Sequence, residues 1–401
     1  MLLILFPYKY TKFYHYLFEA DVIKRKTGMS VEIHDLSLVI NKGWEKSFPA
    51  KSSNNCLKFS SFDVWKKRFY KLRNNYKNLI IFNFLDINSI NSLKIHYHLK
   101  KSNAKILRIG SPGVLANYRY FKKIKKTIYI KEIISSSKIL TKLFYFLKKY
   151  FFLKIYKNFF ILNEFILISG NKNQFITNQG KNIKEIFFHS FDYSKVLKKK
   201  KIKTQKKKIL YFDIPSPFFL DDYQTYYNDT IIKTSTNIDL HYKKLNKFLK
   251  SIEDVYSSKV IIIPHPKVRG IKNPYYSKNF HIDYRVNAAE KLIDSSKFII
   301  CPILSTVIAY AIARYKPILF LSGNGFKQNQ TSIRNRNLGI EIISNYLSCK
   351  VIDYQKNFKQ KINLTVNKKK YEKYKYQFLT SKNISKVENY QIINNLIREL
   401  S

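Results

Sequence analysis

The chain has 401 residues, too many for one ordinary hydrophobic core and suited to two domains of about 150–200 residues. A hydrophobic content of 45% excludes a disordered chain. The net charge of +48 predicts attraction to polyanions, but only 11 of the 74 basic residues are Arg. A lysine charge spread along the whole length argues against a specific nucleic-acid reader and for an anionic membrane surface.

Leu2–Phe6 (LLILF) is a continuous apolar run that stops at Pro7, the pattern of a strand buried on both faces of a parallel sheet. Five residues are too few for the apolar core of a signal peptide. Tyr14–Lys26 reads as a helix, and Val31–His34 as a second strand leading into Asp35, Leu36 and Ser37. The alternation continues with Leu79–Asp86 (LIIFNFLD), a helix over Ile90–Leu99, and Lys105–Gly113 (KILRIGSPG). Asn83 and Asp86 close one of these strands, and the turn at Arg108–Gly113 puts Ser111 and Gly113 on a loop suited to an acceptor. Alternating strands and helices predict βαβ units in a doubly wound sheet. No GxGxxG follows the first strand, so a dinucleotide fingerprint is absent.

Ile139–Gly170 repeats Leu, Phe and Tyr beside lysines, and two readings stay open. Ile139–Phe160 is either an amphipathic helix lying in a membrane interface or a core helix with its lysines in water, running into a strand at Phe165–Ser169. No run of about 18 uncharged apolar residues occurs, so no transmembrane helix is expected. Cys56, Cys301 and Cys349 are widely separated and give neither a disulfide framework nor a zinc spacing, which fits a reducing cytoplasm.

Lys198–Lys208 (KKKKIKTQKKK) is a block of like charge that resists packing, and it marks the expected boundary. Residues 1–200 form a first domain, 201–365 a second and 366–401 a helical tail. The second series runs through a strand at Ile209–Asp213, a helix at Asp239–Tyr256, a strand at Val260–Ile263 and a helix near Asn287–Asp294. It continues with a strand at Lys297–Cys301, a helix from Ser305 to Arg314, a strand at Pro317–Leu321 and a weaker one at Lys350–Asp353. The chain closes with a helix, QIINNLIREL. Two such α/β halves make a cleft, and ligands bind these sheets at the carboxyl ends of the strands.

Two motifs fall at such ends. In IIIPHPKVRG (Ile261–Gly270) the prolines hold His265 extended at the edge of a strand, with Pro266, Lys267 and Arg269 behind it. An imidazole there can donate to a phosphate or move a proton near neutral pH. In CPILSTVIAYAIARYKPILFLSG (Cys301–Gly323), Ser305 and Thr306 open an apolar helix. Hydroxyls at a helix start either cap its free N–H groups or help to hold an anion.

HP after a strand, then Ser-Thr opening a helix before a KPILF strand, resembles the nucleotide-sugar half of certain bacterial GT-B glycosyltransferases. These are the sialyltransferase, polysialyltransferase and Kdo-transferase group of surface polysaccharide synthesis. The resemblance covers about Lys208–Gly323 and implies two Rossmann-like domains facing across a cleft. It also implies contacts from His265, Ser305 and Thr306 to the CMP part of a donor. The implied partners are a nucleotide-sugar, a glycan acceptor and an anionic surface on the inner face of the cytoplasmic membrane.

Sugar transfer needs a base for the acceptor hydroxyl, or a nucleophile where configuration is retained. FLDDYQTYY places Asp221 and Asp222 in a loop behind Pro215-Ser216-Pro217. The resembled sialyltransferases carry an acidic pair followed by Gly, with the second acid as base; here Tyr223 stands in place of that Gly. Asp213 and Glu164 are open alternatives, and Asp192 (HSFDY) lies near the crossover between halves. His96 and His98 look like a metal pair, but residues two apart on a helix do not face each other. With no DxD, no HExxH and no cysteine cluster, metal-independent transfer without a separate cofactor is expected. Two other readings are a polymerase of the teichoic-acid type using a CDP-polyol, and a non-catalytic polyanion-binding protein on the same fold.

Overall fold

The computed structural model describes residues 1–40, 51–85, 89–109, 165–171, 183–197, 208–218, 237–303, 305–323 and 330–400, with Leu147, Tyr150, Phe151 and Lys154 between them. The side chains of 330–335 and 400 are excepted. Among these residues the strands form two sheets, one of seven and one of six, and every paired strand runs parallel to its neighbour.

The first sheet is built from β1 (Leu2–Phe6), β2 (Val31–Asp35), β3 (Leu57–Lys58), β4 (Ile80–Asn83), β5 (Lys105–Ile109), β6 (Phe165–Ile168) and β7 (Lys184–Phe187). Their order is β3-β2-β1-β4-β5-β6-β7, so the direction of winding reverses between β1 and β4. The run LLILF is apolar throughout because both faces are covered. Leu2, Ile4 and Phe6 enter one core, and Leu3 and Leu5 enter the other. Helices α1 (Lys12–Phe18) and α2 (Ala20–Thr27) pack on the first face; α3 (Ser37–Ile40), α4 (Phe62–Asn75) and α5 (Ile90–Lys100) pack on the second.

The helix expected over Tyr14–Lys26 is two helices, broken at Glu19, whose φ of 58° is left-handed. The cause is tertiary. Lys195, on the later helix α6 (Phe191–Leu197), donates to the Tyr16 carbonyl and to Glu19 Oε1 at 3.0 Å. A buried carboxylate and the Tyr16 carbonyl, which also accepts the Glu19 N–H, thus share one cation, which outweighs the roughly 1–2 kcal/mol of left-handed strain.

The second sheet contains β8 (Lys208–Phe212), β9 (Lys259–Ile263), β10 (His281–Ile282), β11 (Ser296–Cys301), β12 (Ile318–Ser322) and β13 (Lys350–Asp353). Their order is β10-β9-β8-β11-β12-β13, with the reversal between β8 and β11. Alternation repeats here: Leu210, Phe212, Ile261 and Ile263 fill one core, and Ile209, Tyr211, Val260 and Ile262 the other. The first core is covered by α8 (Ala288–Leu292), α9 (Ile308–Arg314), α10 (Gln330–Leu347) and α11 (Lys368–Tyr374), the second by α7 (Ile238–Tyr256).

The chain passes between the halves twice. Helix α6 contributes Phe191 to the first half's core and Tyr193 and Val196 to the second's. The last helix, α12 (Asn389–Leu400), returns to the first half, where Ile392, Ile393 and Leu396 share a core with Ala20 and Ile23 of α2. His189 joins the two passages. Its backbone N–H donates to Asn389 Oδ1 at 3.1 Å, its Nδ1 pairs with the Thr380 hydroxyl at 2.8 Å, and its Nε2 with the Val387 carbonyl. Among the described residues no helix is long and apolar enough to cross a membrane. Of the stretch over Ile139–Phe160, Leu147, Tyr150, Phe151 and Lys154 are described, and all four are exposed.

Candidate active site

β9 ends at Ile263, and His265 follows with φ −58° and ψ 142°, the extended geometry that a following proline enforces. The chain then folds into a single tight turn, Pro266–Val268, in which the Lys267 N–H donates to His265 Nδ1 at 3.2 Å. An Nδ1 that accepts leaves the proton of neutral imidazole on Nε2, so the ring's far nitrogen is a donor.

Arg269 leaves the same turn and folds back. Its Nη2 donates to the Pro264 carbonyl at 3.3 Å, and its guanidinium lies 5.1 Å from the ring centre of Phe13, in the first half. The Nε and Nη1 atoms are buried and have no hydrogen-bond partner among the described residues. Burial pulls its pKa down to about 10.

The segment after β11 differs from expectation. α9 begins at Ile308, so Ser305 and Thr306 lie in a turn before the helix rather than capping it. Their carbonyls accept the N–H groups of Ile308 at 3.3 Å and Ala309 at 3.0 Å, which leaves the hydroxyls for other work. Thr306 and Tyr310 hydroxyls hydrogen-bond to Asp192 of α6; burial raises that carboxyl, and the two hydroxyls together with Lys195 oppose the rise. Arg336 on α10 braces the floor. Its Nε donates to the Pro302 carbonyl at 2.6 Å, Nη1 to Gly323 at 3.1 Å, and Nη2 to the Leu321 carbonyl. One planar fork thereby ties the carboxyl ends of β11 and β12 together.

Asp213 stands one residue beyond β8, between the strand ends that carry His265 and Ser305. Its N–H continues the ladder to the Ile263 carbonyl at 3.0 Å, and its Oδ1 accepts the Ile214 N–H at 2.8 Å. Burial raises its carboxyl to about 7, against the opposing influence of the Tyr276 hydroxyl, the Ile214 N–H and the Tyr211 hydroxyl.

Arg336 apart, the side chains that follow these strand ends meet in one cavity of about 230 Å³. Asp213, His265, Pro266, Arg269, Ser305 and Thr306 line it from the second half, and Phe13, Tyr14 and Leu17 of α1 from the first. Phe191 and Asp192 of α6 complete the wall. The cavity therefore lies at the β8/β11 reversal, where doubly wound sheets bind ligands. Lys267 does not reach it; the turn that presents His265 and Arg269 directs Lys267 elsewhere, half-buried.

Asp221, Asp222, Ser111, Gly113, Asp86 and Glu164 lie outside the described residues. His96 and His98 serve separate partners: His96 pairs with Asn83 at 3.1 Å and the Ser92 carbonyl at 2.7 Å, and His98 with the Tyr70 hydroxyl at 2.7 Å. Among the described residues no group of three or more His, Cys, Asp or Glu is placed to hold a metal ion. The cavity's chemistry is a buried cation, an imidazole donor and hydroxyls facing a carboxylate.

The chain matches no protein-family model and no curated protein sequence. It is similar in fold to solved structures. Two variants of the wall teichoic acid polymerase TagF superpose with a TM-score of 0.51 at 13% and 14% identity, each over 99% of this chain and 88% of that one. A further TagF structure, soaked with CDPG, superposes at 0.50 with 14% identity over the same shares. The architecture is the GT-B fold, two parallel α/β sheets facing across a cleft.

Proposed function

We propose that this chain is a GT-B glycosyltransferase that moves a sugar, an acidic one from a CMP-activated donor, to a cell-surface glycan acceptor. The observation that carries the reading is Arg269, half-buried in the cleft with two buried guanidinium nitrogens lacking hydrogen-bond partners among the described residues. Leaving buried N–H groups without acceptors costs about 1–3 kcal/mol each unless an anion completes them. The His265 Nε2–H and the Ser305 hydroxyl line the same cavity, a donor set suited to a phosphate ester. In this reading the guanidinium and imidazole neutralise the leaving phosphate without a metal ion. The lysine excess holds the enzyme on the anionic inner face of the cytoplasmic membrane, near its acceptor.

A second reading, transfer of a polyol phosphate from a CDP-polyol, is favoured by the likeness to TagF, one of whose structures was soaked with CDPG. Thermal melting with CMP, CDP, UDP and GDP, on wild type and His265→Ala, tests the donor site. Stabilisation by a cytidine nucleotide that the variant loses supports the transferase; both donors leave CMP behind, so CMP release from CMP-linked sugars against release from CDP-glycerol divides acidic sugar from polyol. No shift with any of the four overturns the donor site and leaves a polyanion-binding protein on a transferase fold.

A further inference from the structure

Resting on the transferase reading, we propose that Asp213 is the catalytic base, the group that takes the proton from the acceptor hydroxyl. Three observations place it. It follows β8, flanked by the two strands whose ends carry the donor-side groups, β9 with His265 and β11 with Ser305. It lines the cavity together with them, opposite the aromatic wall of α1. Its Oδ1 is anchored by the Ile214 N–H, which with the Tyr276 and Tyr211 hydroxyls fixes the carboxylate at the cavity wall, and an oxygen with two lone pairs can accept a further hydroxyl.

Elimination strengthens the assignment. His265 cannot serve as the base while its Nδ1 accepts the Lys267 N–H, because the nitrogen facing away already carries the proton. Both carboxylates among the described lining residues meet two hydroxyls, Asp192 those of Thr306 and Tyr310 and Asp213 those of Tyr276 and Tyr211, but Asp213 alone stands between the strand ends that carry His265 and Ser305. Asp213 remains, and burial holds its carboxyl near neutrality, where a base both exists ionised and binds a proton well. Around it stand Tyr211, Tyr242, Tyr276 and Tyr284, with Arg269, His265 and Asp192 lining the same cavity.

The step balances as follows. The acceptor O–H bond breaks and its proton passes to the Asp213 carboxylate. The oxygen forms a bond to the anomeric carbon as the bond from that carbon to the phosphate oxygen breaks. The electron pair of the broken bond stays on phosphate, which leaves as CMP beside Arg269 and His265.

The test uses the full chain with carboxyl-labelled aspartate, followed by carbon NMR against pH, with Asp213→Asn identifying the resonance. Saturating CMP should raise the midpoint of Asp213 by about one pH unit, the effect of a phosphate charge entering the same cavity. Nucleotide release from CMP-linked sugars and CDP-glycerol should fall about 100-fold or more in Asp213→Asn and recover in part in Asp213→Glu. CMP binding should stay within about threefold of wild type in both variants. Asp213 is ruled out if its resonance titrates below about pH 5. It is also ruled out if bound CMP leaves the resonance unmoved, or if Asp222→Asn abolishes release while Asp213→Asn does not. Failure of CMP and CDP to bind wild type strikes instead at the transferase reading itself.

Discussion

The carboxyl ends of the two sheets carry similar polar residues and treat them in opposite ways. In the first sheet, Asp35 ends β2 with every obvious demand met. Its Oδ2 accepts the Tyr10 N–H at 2.8 Å, and its Oδ1 accepts the Ser37 N–H at 3.0 Å and the Ser37 hydroxyl at 2.6 Å. Asn83 ends β4 equally satisfied, accepting the Leu85 N–H at 3.0 Å and donating to His96. In the second sheet, Asp213 is raised to about 7 by burial and Arg269 holds two buried nitrogens without partners among the described residues. The same architecture therefore makes structure at one set of strand ends and a candidate site at the other. What differs is whether the protein itself completes the hydrogen bonds.

Three substitutions test that contrast. The largest effect falls on the satisfied end. Asp35→Ala strands two backbone N–H groups and a hydroxyl, and should cost about 3–5 kcal/mol in denaturant unfolding while leaving the melting shift with CMP or CDP intact. At the unsatisfied end the sign reverses and depends on pH. The folded pKa of Asp213, about 7, lies above its unfolded value, so its stabilising contribution is complete below about pH 4 and is lost as pH rises through 7. Asp213→Asn should thus match wild type within about 1 kcal/mol at pH 4 and exceed it by about 2–4 kcal/mol at pH 8. Urea unfolding at the two pH values measures this, and equal differences at both would remove Asp213 from the list of buried ionising groups. The smallest effect belongs to Arg269→Met, which should stabilise the free protein by about 1 kcal/mol and eliminate stabilisation by cytidine nucleotides. Loss of stability with the nucleotide shift retained would make Arg269 a structural residue like Asp35.

The central strands were legible because continuous apolar runs have one common meaning in a parallel sheet; β1, β4, β8, β9, β11 and β12 fall where those runs do. The edges were not. β3 and β10 are two residues each and β7 reads KEIF, so none carries enough buried surface to mark the sequence. α4 was hidden by its lysines and arginines, although Trp65, Phe69 and Leu72 all face the core. His265 could be placed at a strand end because proline acts over a few residues; Ser305 and Thr306 read as a helix start and lie in the turn before it, lining the same cavity. Arg269 read as an ordinary solvated charge, and its importance comes from Phe13, more than two hundred residues away, closing over it. Asp213 stood as one alternative among several, since only the packed sheet sets its proton affinity. Arg336 went unnoticed because its three carbonyl partners lie on strand ends that converge only in the fold.

The double passage between the halves also limits how the cleft can move. Two bodies joined by one length of chain can separate in any direction, whereas two adjoining lengths restrict them to a swing. Here the joins are pinned to each other through His189, so they act as a single pivot. Phe191 and Asp192 sit on that pivot and also wall the cavity, which puts the pivot beside the cavity rather than at the rim. The stacking of Phe13 on Arg269 spans the two halves, so a swing about that pivot would be felt first at the cation lining the cavity.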